Sequence, residues 1–463
     1  MFLLADSKPP QDCAVRDDGG DSLSYGELAG FMQRVKAFGL ERGLAFCLCS
    51  NDCGSLAGYI ALYESRIVPL LLDAATDGKL LAKLIDTYAP EYLWCAEDHN
   101  DFPALIVFMG YKLVRLADNG PALNDQLSFL LTTSGSTGSP KLVRHKYGNL
   151  EHNARVVAEV FGWSADERGL CQLPMHYTMG LNVINSLLHA GSTVLLSASG
   201  LMSKEFWQFF KAQQPSSFTG VPYSYEILLK MKLLKMDALH LKVLASGGGK
   251  MPEAMFAALA EYAATTGRKF YSTFGTTETA ARLSYLPPEF ALKKTGSIGH
   301  SFPGGEMYLV DNDGNRIAQA ETEGELVYRG GNVTLGYAHD RADLALDDSF
   351  KGEYRTGDIA RRDAEGHFYI VGRKSRFLKL FGHRVSLDAS ERLVAERFGT
   401  ECACTGTDKQ MSVFVTDAAI LGDVPQFLAE TTGLPRTAFK AYSVDQFPRT
   451  DSGKIRYKDL KES

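Results

Sequence analysis

The sequence predicts an α/β fold: a large N-terminal part of parallel sheets covered by helices plus a β-rich subdomain, followed by a small α+β C-terminal domain. Three observations carry this reading. Apolar strand-like runs alternate with helical periodicity from Leu23 to Gly247, short strands with Gly and Asp turns take over from about Gly304, and the pattern changes again near Arg373-Lys374-Ser375. At 463 residues the chain is too long for one ordinary core. Leu23–Gly39 (LSYGELAGFMQRVKAFG) has apolar residues at helical spacing behind Ser24, a candidate N-cap. LAFCLCS then reads as a strand, SLAGYIALYESR as a helix and Ile67–Leu72 as another strand. The alternation recurs across Val194–Leu196, Ser203–Gln213, Ser217–Gly220, Tyr223–Met236 and Val243–Gly247. MYLVDNDGNRI, GELVYRG and HFYIVG are the short strands of the later part. The expected domains are 1–373, with 304–373 as the β-rich subdomain, and 374–463.

Hydrophobic content of 45% with 22% charged residues is that of a soluble globular chain. A net charge of −6 argues against a general nucleic-acid binder, which would carry a basic face. The start, MFLLADSKPPQD, reaches charge too soon for a signal peptide, and no apolar run approaches a membrane span. The expectation is a cytoplasmic protein with no membrane insertion. The eight cysteines form no CxxC pair, so they read as buried free thiols rather than a zinc framework.

Residues 131–141, LTTSGSTGSPK, are the most informative run for function. Gly135 and Gly138 let the backbone turn sharply and approach a ligand without Cβ interference. Successive N–H groups and the hydroxyls of Thr133, Ser134, Ser136 and Thr137 can then surround phosphate oxygens, and Lys141 adds a point charge. A P-loop needs Gly before its Lys and a helix directly after. Here Pro140 precedes Lys141, and the flanks LSFLL and KLVRH are strand-like, which places the loop between two strands.

TSGSTGSPK resembles the phosphate-binding signature of the adenylate-forming superfamily, which includes acyl-CoA synthetases, peptide-synthetase adenylation domains and firefly luciferase. Four more matches follow in that superfamily's order. Tyr271–Glu278 (YSTFGTTE) is similar to its YGxTE motif, and Tyr354–Asp358 reproduces YRTGD. Gly372-Arg373 with Lys379–Arg384 follows GRxxxxxKxxGxR, and Pro448–Ile455 resembles PxTxxGK. The likeness covers nearly the whole chain. It implies a hinge near Arg373-Lys374-Ser375, with a mobile C-terminal domain, where Ser375 or a neighbour replaces the family's aspartate.

The resemblance implies a carboxylate attacking the α-phosphate of ATP, with catalysis resting on positioning and on groups that neutralise moving negative charge. Under that reading the 132–141 loop holds the β- and γ-phosphates, Thr277 donates to the α-phosphate, and Glu278 ligates Mg2+. Asp358 accepts from both ribose hydroxyls, and Arg373 bridges ribose and phosphate. Gly247, Gly248 and Gly249 give a bare backbone edge for adenine and the substrate carboxylate, with Phe274, Gly275 and Thr276 beside them and Phe274 offering a stacking face. Lys454, beside Gly453, bridges the attacking carboxylate and the phosphate. Lys379, Gly382 and Arg384 serve the later attack of a thiol, from coenzyme A or the phosphopantetheine of an acyl carrier protein.

Members that select α-amino acids place an Asp early in the helix that here begins near Pro174–Thr178. Counting back from Gly191 puts Thr178 in that slot. A threonine cannot neutralise an ammonium, so a small carboxylic acid without an α-amine is favoured. Tyr177 takes the position usual for histidine in acyl- and aryl-CoA synthetases, with His176 just before it, while Leu142 and Tyr147 replace the family's glycine and histidine after the phosphate loop. The expected activity is an ATP-dependent acid–thiol ligase. The alternatives are amino-acid adenylation and a degenerate nucleotide-binding partner subunit, the latter opposed by intact Lys141, Glu278, Asp358 and Lys454.

Overall fold

Helix Tyr25–Ala37 starts where the sequence places it. Ser24 accepts from the Glu27 N–H while the Glu27 carboxylate accepts from the Ser24 N–H, so two orphan donors of the first turn are satisfied together. Leu28, Phe31, Met32 and Val35 then form the buried stripe of this helix. The computed structural model describes residues 8–118, 120–132, 141–233, 240–381, 383–450 and 453–461, without the side chain of Arg384. By internal packing the chain divides into two units, one of residues 1–306 and 329–354, the other of 307–328 and 355–463. This division cuts the β-rich segment at Arg329 and Tyr354.

The first unit holds two sheets with parallel centres and antiparallel edges. In one, the strands Cys13–Asp17, Thr193–Leu196, Arg168–Cys171, Ser217–Gly220, Val243–Ser246 and Lys269–Phe274 run parallel side by side. In the other, Leu44–Cys49 lies between Val68–Asp73 and Tyr92–Ala96, and Val68–Asp73 also pairs with Leu127–Thr132. Leu44–Cys49 shows why such strands are apolar throughout: Ala45, Cys47 and Cys49 enter one core, Leu44, Phe46 and Leu48 the other. Helix Cys53–Glu64, capped by Asp52, is buried along nearly its whole length. Cys47, Cys49, Cys53, Cys95 and Cys171 are free and buried in this unit, with Cys13 half-buried.

In the second unit the strands Glu306–Val310, Gly324–Arg329, Glu353–Arg362 and Phe368–Arg373 pair in that order. A hairpin, Phe377–Leu380 with His383–Ser386, precedes helix Leu387–Phe398, whose N-cap Ser386 accepts from Ala389 N–H. The strands Cys402–Thr407, Gln410–Val415 and Phe439–Ser443 form a second sheet, and Val394, Cys404, Val413, Val424 and Leu428 form the core beneath it. Among the described residues no helix is long and apolar enough to cross a membrane.

Candidate active site

The strands Leu127–Thr132 and Leu142–Lys146 are antiparallel, with Thr132 opposite Leu142. The Ser/Thr/Gly run therefore joins the two arms of a hairpin, as its apolar flanks predict. Thr133, Ser134, Gly135, Ser136, Thr137 and Gly138 lie outside the described residues; Lys141 lies inside. A third strand, Gly336–Ala338, pairs with the second arm and sets Tyr337 opposite Val143, two residues beyond Lys141. The Lys141 ammonium lies 3.6 Å from the centroid of the Tyr337 ring. The same phenol donates to Glu278 Oε1 at 2.7 Å and lies 3.4 Å from the Tyr354 hydroxyl. Lys141 and Glu278, 137 positions apart in sequence, thus meet on one tyrosine.

Glu278 is held by the turn that follows strand Lys269–Phe274. Thr277–Thr279 is a single 3-10 turn behind Thr276, and Ala281 N–H donates back to the Thr276 carbonyl at 3.0 Å. A Cβ on Gly275 would lie 1.4 Å from the Ala281 carbonyl oxygen, so the chain can fold back here only over glycine. Ala280 and Ala281 take φ of 51° and 93°, in the left-handed region that alanine avoids at a cost of roughly 1–2 kcal/mol each. Glu278 is buried, and its Oε2 accepts no hydrogen bond among the described residues. A hard oxygen atom at that position fits a divalent cation. Phe274 ends the strand half-buried, and Thr277 is likewise half-buried.

The glycine strip closes on the residues read as the acid pocket. Gly248 has φ of 76°, and a Cβ there would sit 2.5 Å from the Tyr177 hydroxyl. On Gly247 it would sit 2.6 Å from Thr273 Oγ1 and 2.9 Å from Met179 Cε, whereas Gly249 meets only Pro222, at 3.5 Å. Leu173, Met179 and Val221 form a small apolar cluster against which Tyr177 packs. Burial pushes the Tyr177 phenol up to about 12, so it stays a protonated donor at neutral pH. Thr178 is the first residue of helix Thr178–Ala190, and Gly191 closes it in the left-handed conformation. His176 Nε2 lies 3.8 Å from the Asp73 carboxylate.

In the second unit Asp358 is buried, and Arg373 Nε donates to its Oδ1 at 2.9 Å. The two residues are opposite one another in their strand pair. Asp358 Oδ2 is buried without a partner among the described residues, an acceptor that one or two hydroxyls would satisfy. Burial raises the Asp358 pKa, and Arg373 offsets this in part. Lys454 sits in a short closed turn: Arg449 bridges Ile455, Thr450 N–H donates to the Lys454 carbonyl at 2.8 Å, and Lys454 N–H donates to Thr450 Oγ1 at 3.1 Å. Lys379 is exposed, opposite Arg384 in its hairpin. Gly382 and the side chain of Arg384 lie outside the described residues.

Tyr337 is the residue that sequence reasoning missed. A lone tyrosine in NVTLGYAHD carries no motif, and only its pairing beside the hairpin places it between Lys141 and Glu278.

A Ser/Thr/Gly-rich run between two strands, a lysine and a buried carboxylate that share one tyrosine, and a glycine strip against Tyr177 fit the class of nucleotide-dependent acid-activating proteins. The description "AMP-binding enzyme" is that of the family whose model matches residues 5–338, and the chain belongs to this family. It is 29% identical to the 2-succinylbenzoate–CoA ligase of Bacillus pumilus over 362 residues, covering 76% of this chain and 72% of the relative. It is 27% identical to the indoleacetate–CoA ligase of Aromatoleum aromaticum over 417 residues, with 87% and 78% covered. The fold is similar to that of the o-succinylbenzoate coenzyme A synthetase of Bacillus subtilis in complex with ATP and magnesium, at a TM-score of 0.79 and 19% identity, covering 100% of this chain and 99% of that one.

Proposed function

We propose that the protein is an ATP-dependent carboxylic acid ligase that forms an acyl-adenylate and then a thioester with coenzyme A. In the first step a carboxylate oxygen bonds to the α-phosphorus and pyrophosphate leaves. In the second a thiol attacks the acyl carbon, giving up its proton, and AMP leaves. The observation that carries the reading is the meeting of Lys141 and Glu278 on Tyr337 at the foot of the phosphate-type loop. Membership in the AMP-binding enzyme family and likeness to two acid–CoA ligases support it.

Lys141 neutralises phosphate charge, Thr277 donates to the α-phosphate, and Glu278, steered by the Tyr337 hydroxyl, would hold Mg2+. The bound cation would supply charge neutralisation as pyrophosphate departs. Asp358 and Arg373 take the ribose, and the partnerless Asp358 Oδ2 supports that role. Phe274 and the glycine strip take adenine and the reacting carboxylate. Lys454 serves adenylation; Lys379, Gly382 and Arg384 serve thiol transfer. With Thr178 at the helix start and no acidic side chain there, an acid without an α-ammonium is the substrate.

Acid-dependent exchange of pyrophosphate into ATP, followed by thioester release on adding coenzyme A, tests the reading. Exchange with α-amino acids but not with plain acids would transfer it to the amino-acid class. Thioester formation on a carrier protein alone would replace coenzyme A as the acceptor.

A further inference from the structure

Below the glycine strip the sheet carries a buried charge. Thr219 is opposite Ala245, and Ala245 is opposite Tyr271. Alternate strand residues share a face. Cys171, Ala245 and Tyr271 enter the core under helix Thr178–Ala190, while Leu170, Phe218, Leu244 and Phe270 enter the core on the other side. Register puts Thr219 on the first face. Two residues further along, the same face reaches Leu173, Val221, Gly247 and Thr273, the surroundings of Tyr177. Two residues of strand rise about 7 Å.

Arg282 occupies the deeper of these two rows. It is 1% exposed; its Nη2 donates to Thr219 Oγ1 at 3.2 Å, and its guanidinium lies 4.8 Å from the Phe161 ring centroid. Among the described residues its buried Nε and Nη1 have no hydrogen-bond partner and no carboxylate pairs with it. Asn153 Nδ2 and Asn332 Nδ2 donate to its carbonyl at 2.7 and 3.3 Å, which fixes the backbone. Burial lowers its pKa to about 9, so it remains cationic at neutral pH. Asn182, one helical turn after Thr178, also leaves its Oδ1 buried without a partner among the described residues. A buried charge without a counterion is costly, and a ring face with one hydroxyl compensates it only in part. An anion would satisfy both free donors and the charge.

We propose that Arg282 is a second anion site of the acid pocket and that the protein activates dicarboxylic acids, the reacting carboxylate at the glycine strip and the distal one at Arg282. This rests on the ligase reading above. The spacing of the two rows, about 7 Å, suits a short acid whose two carboxylates stand several bonds apart.

The test compares pairs of acids of matched skeleton, one ending in a carboxylate and the other in its carboxamide, in pyrophosphate exchange at neutral pH. The diacid is expected to be favoured in kcat/KM by about tenfold or more, mostly through KM, as a charge-assisted contact implies. Arg282→Gln should bring the ratio of the two acids toward one, and Arg282→Lys should restore part of it. Parent enzyme that prefers the carboxamide, or treats the pair alike, overturns the assignment even if every variant fails to fold. Exchange with monoacids alone overturns only the second anion site. No exchange with any acid overturns the ligase reading itself.

Discussion

Asp358 carries one buried carboxylate oxygen without a partner among the described residues, and that atom acts in opposite directions on stability and on binding. Its pKa is raised by burial, so between the unfolded value of about 3.9 and the raised native value the folded chain binds more protons. Stability is therefore lost as pH rises through that window, and the penalty is complete above it. Asp358→Asn is expected to raise the melting temperature at neutral pH and to flatten this loss. The same change should weaken ATP binding by about 1.5–3 kcal/mol, since the ribose loses a charged acceptor. Thermal melts across pH with calorimetry of ATP binding check both; unchanged ATP affinity would leave Asp358 a purely structural acid. Tyr337 makes a second case. Tyr337→Phe keeps the ring under Lys141 and removes the donor to Glu278, so the loss should fall on the Mg2+ requirement of pyrophosphate exchange, by roughly 10–100-fold in kcat/KM at limiting Mg2+. Exchange that responds to Mg2+ as the parent does would show that the phenol does not steer Glu278. Lys141, Glu278 and Asp358 stand out in the sequence because their types and spacing within motifs carry chemistry. Tyr337 and Arg282 do not, since pairing and burial, which a sequence does not display, give them their surroundings.

At the scale of elements, local signals were read correctly where they were strong. The N-cap at Ser24 and the strand flanks of the Ser/Thr/Gly run both appear as expected. Of the helix read across Tyr223–Met236, Pro222–Lys230 is helical and residues 234–236 lie outside the described residues. Met231 leaves helical geometry and Lys232 takes φ of 61°, while Leu233 keeps the apolar spacing alive by packing into the same core. Periodicity reports burial and cannot see the turn. Helix Leu387–Phe398 shows what else was hidden. Its Asp388 accepts from the Arg373 N–H at 2.8 Å and from Arg376 Nε; its Glu391 accepts from Arg376 Nη2, from the Cys404 N–H at 2.6 Å and from the Tyr457 hydroxyl at 3.3 Å. Arg376 also lies 3.8 Å from the Tyr457 ring centroid, so one helix ties the segment after Arg373 to the segment that follows Lys454. Glu391→Ala removes one of the two carboxylates that hold Arg376 and leaves the Cys404 N–H without its acceptor, which should cost about 1–3 kcal/mol. Proteolysis should then cut near Tyr457 well before the rest of the chain unfolds. Uniform resistance, with a melting temperature equal to the parent's, would mean the network contributes nothing.

For the whole molecule the decisive question is whether two half-reactions draw on different residues of the second unit. Lys454 is assigned to adenylation, and Lys379 with Gly382 and Arg384 to thiol transfer. Thr450 N–H donates to the Lys454 carbonyl and Lys454 N–H to Thr450 Oγ1, so removing the Lys454 side chain leaves both bonds in place. Lys454→Ala should then lower pyrophosphate exchange by roughly three orders of magnitude, as expected on removing the charge nearest a reacting phosphate. Thioester formation from a chemically supplied acyl-adenylate should continue at close to the parent rate. Gly382→Leu should do the reverse, sparing exchange and blocking the thiol step. Each half-reaction is measured separately, one by isotope exchange and the other by coenzyme A consumption. Circular dichroism of both variants accompanies the rates, because a folding defect would depress the two steps together. Equal losses in both half-reactions with an intact fold, for either variant, would mean that one fixed set of residues performs both steps.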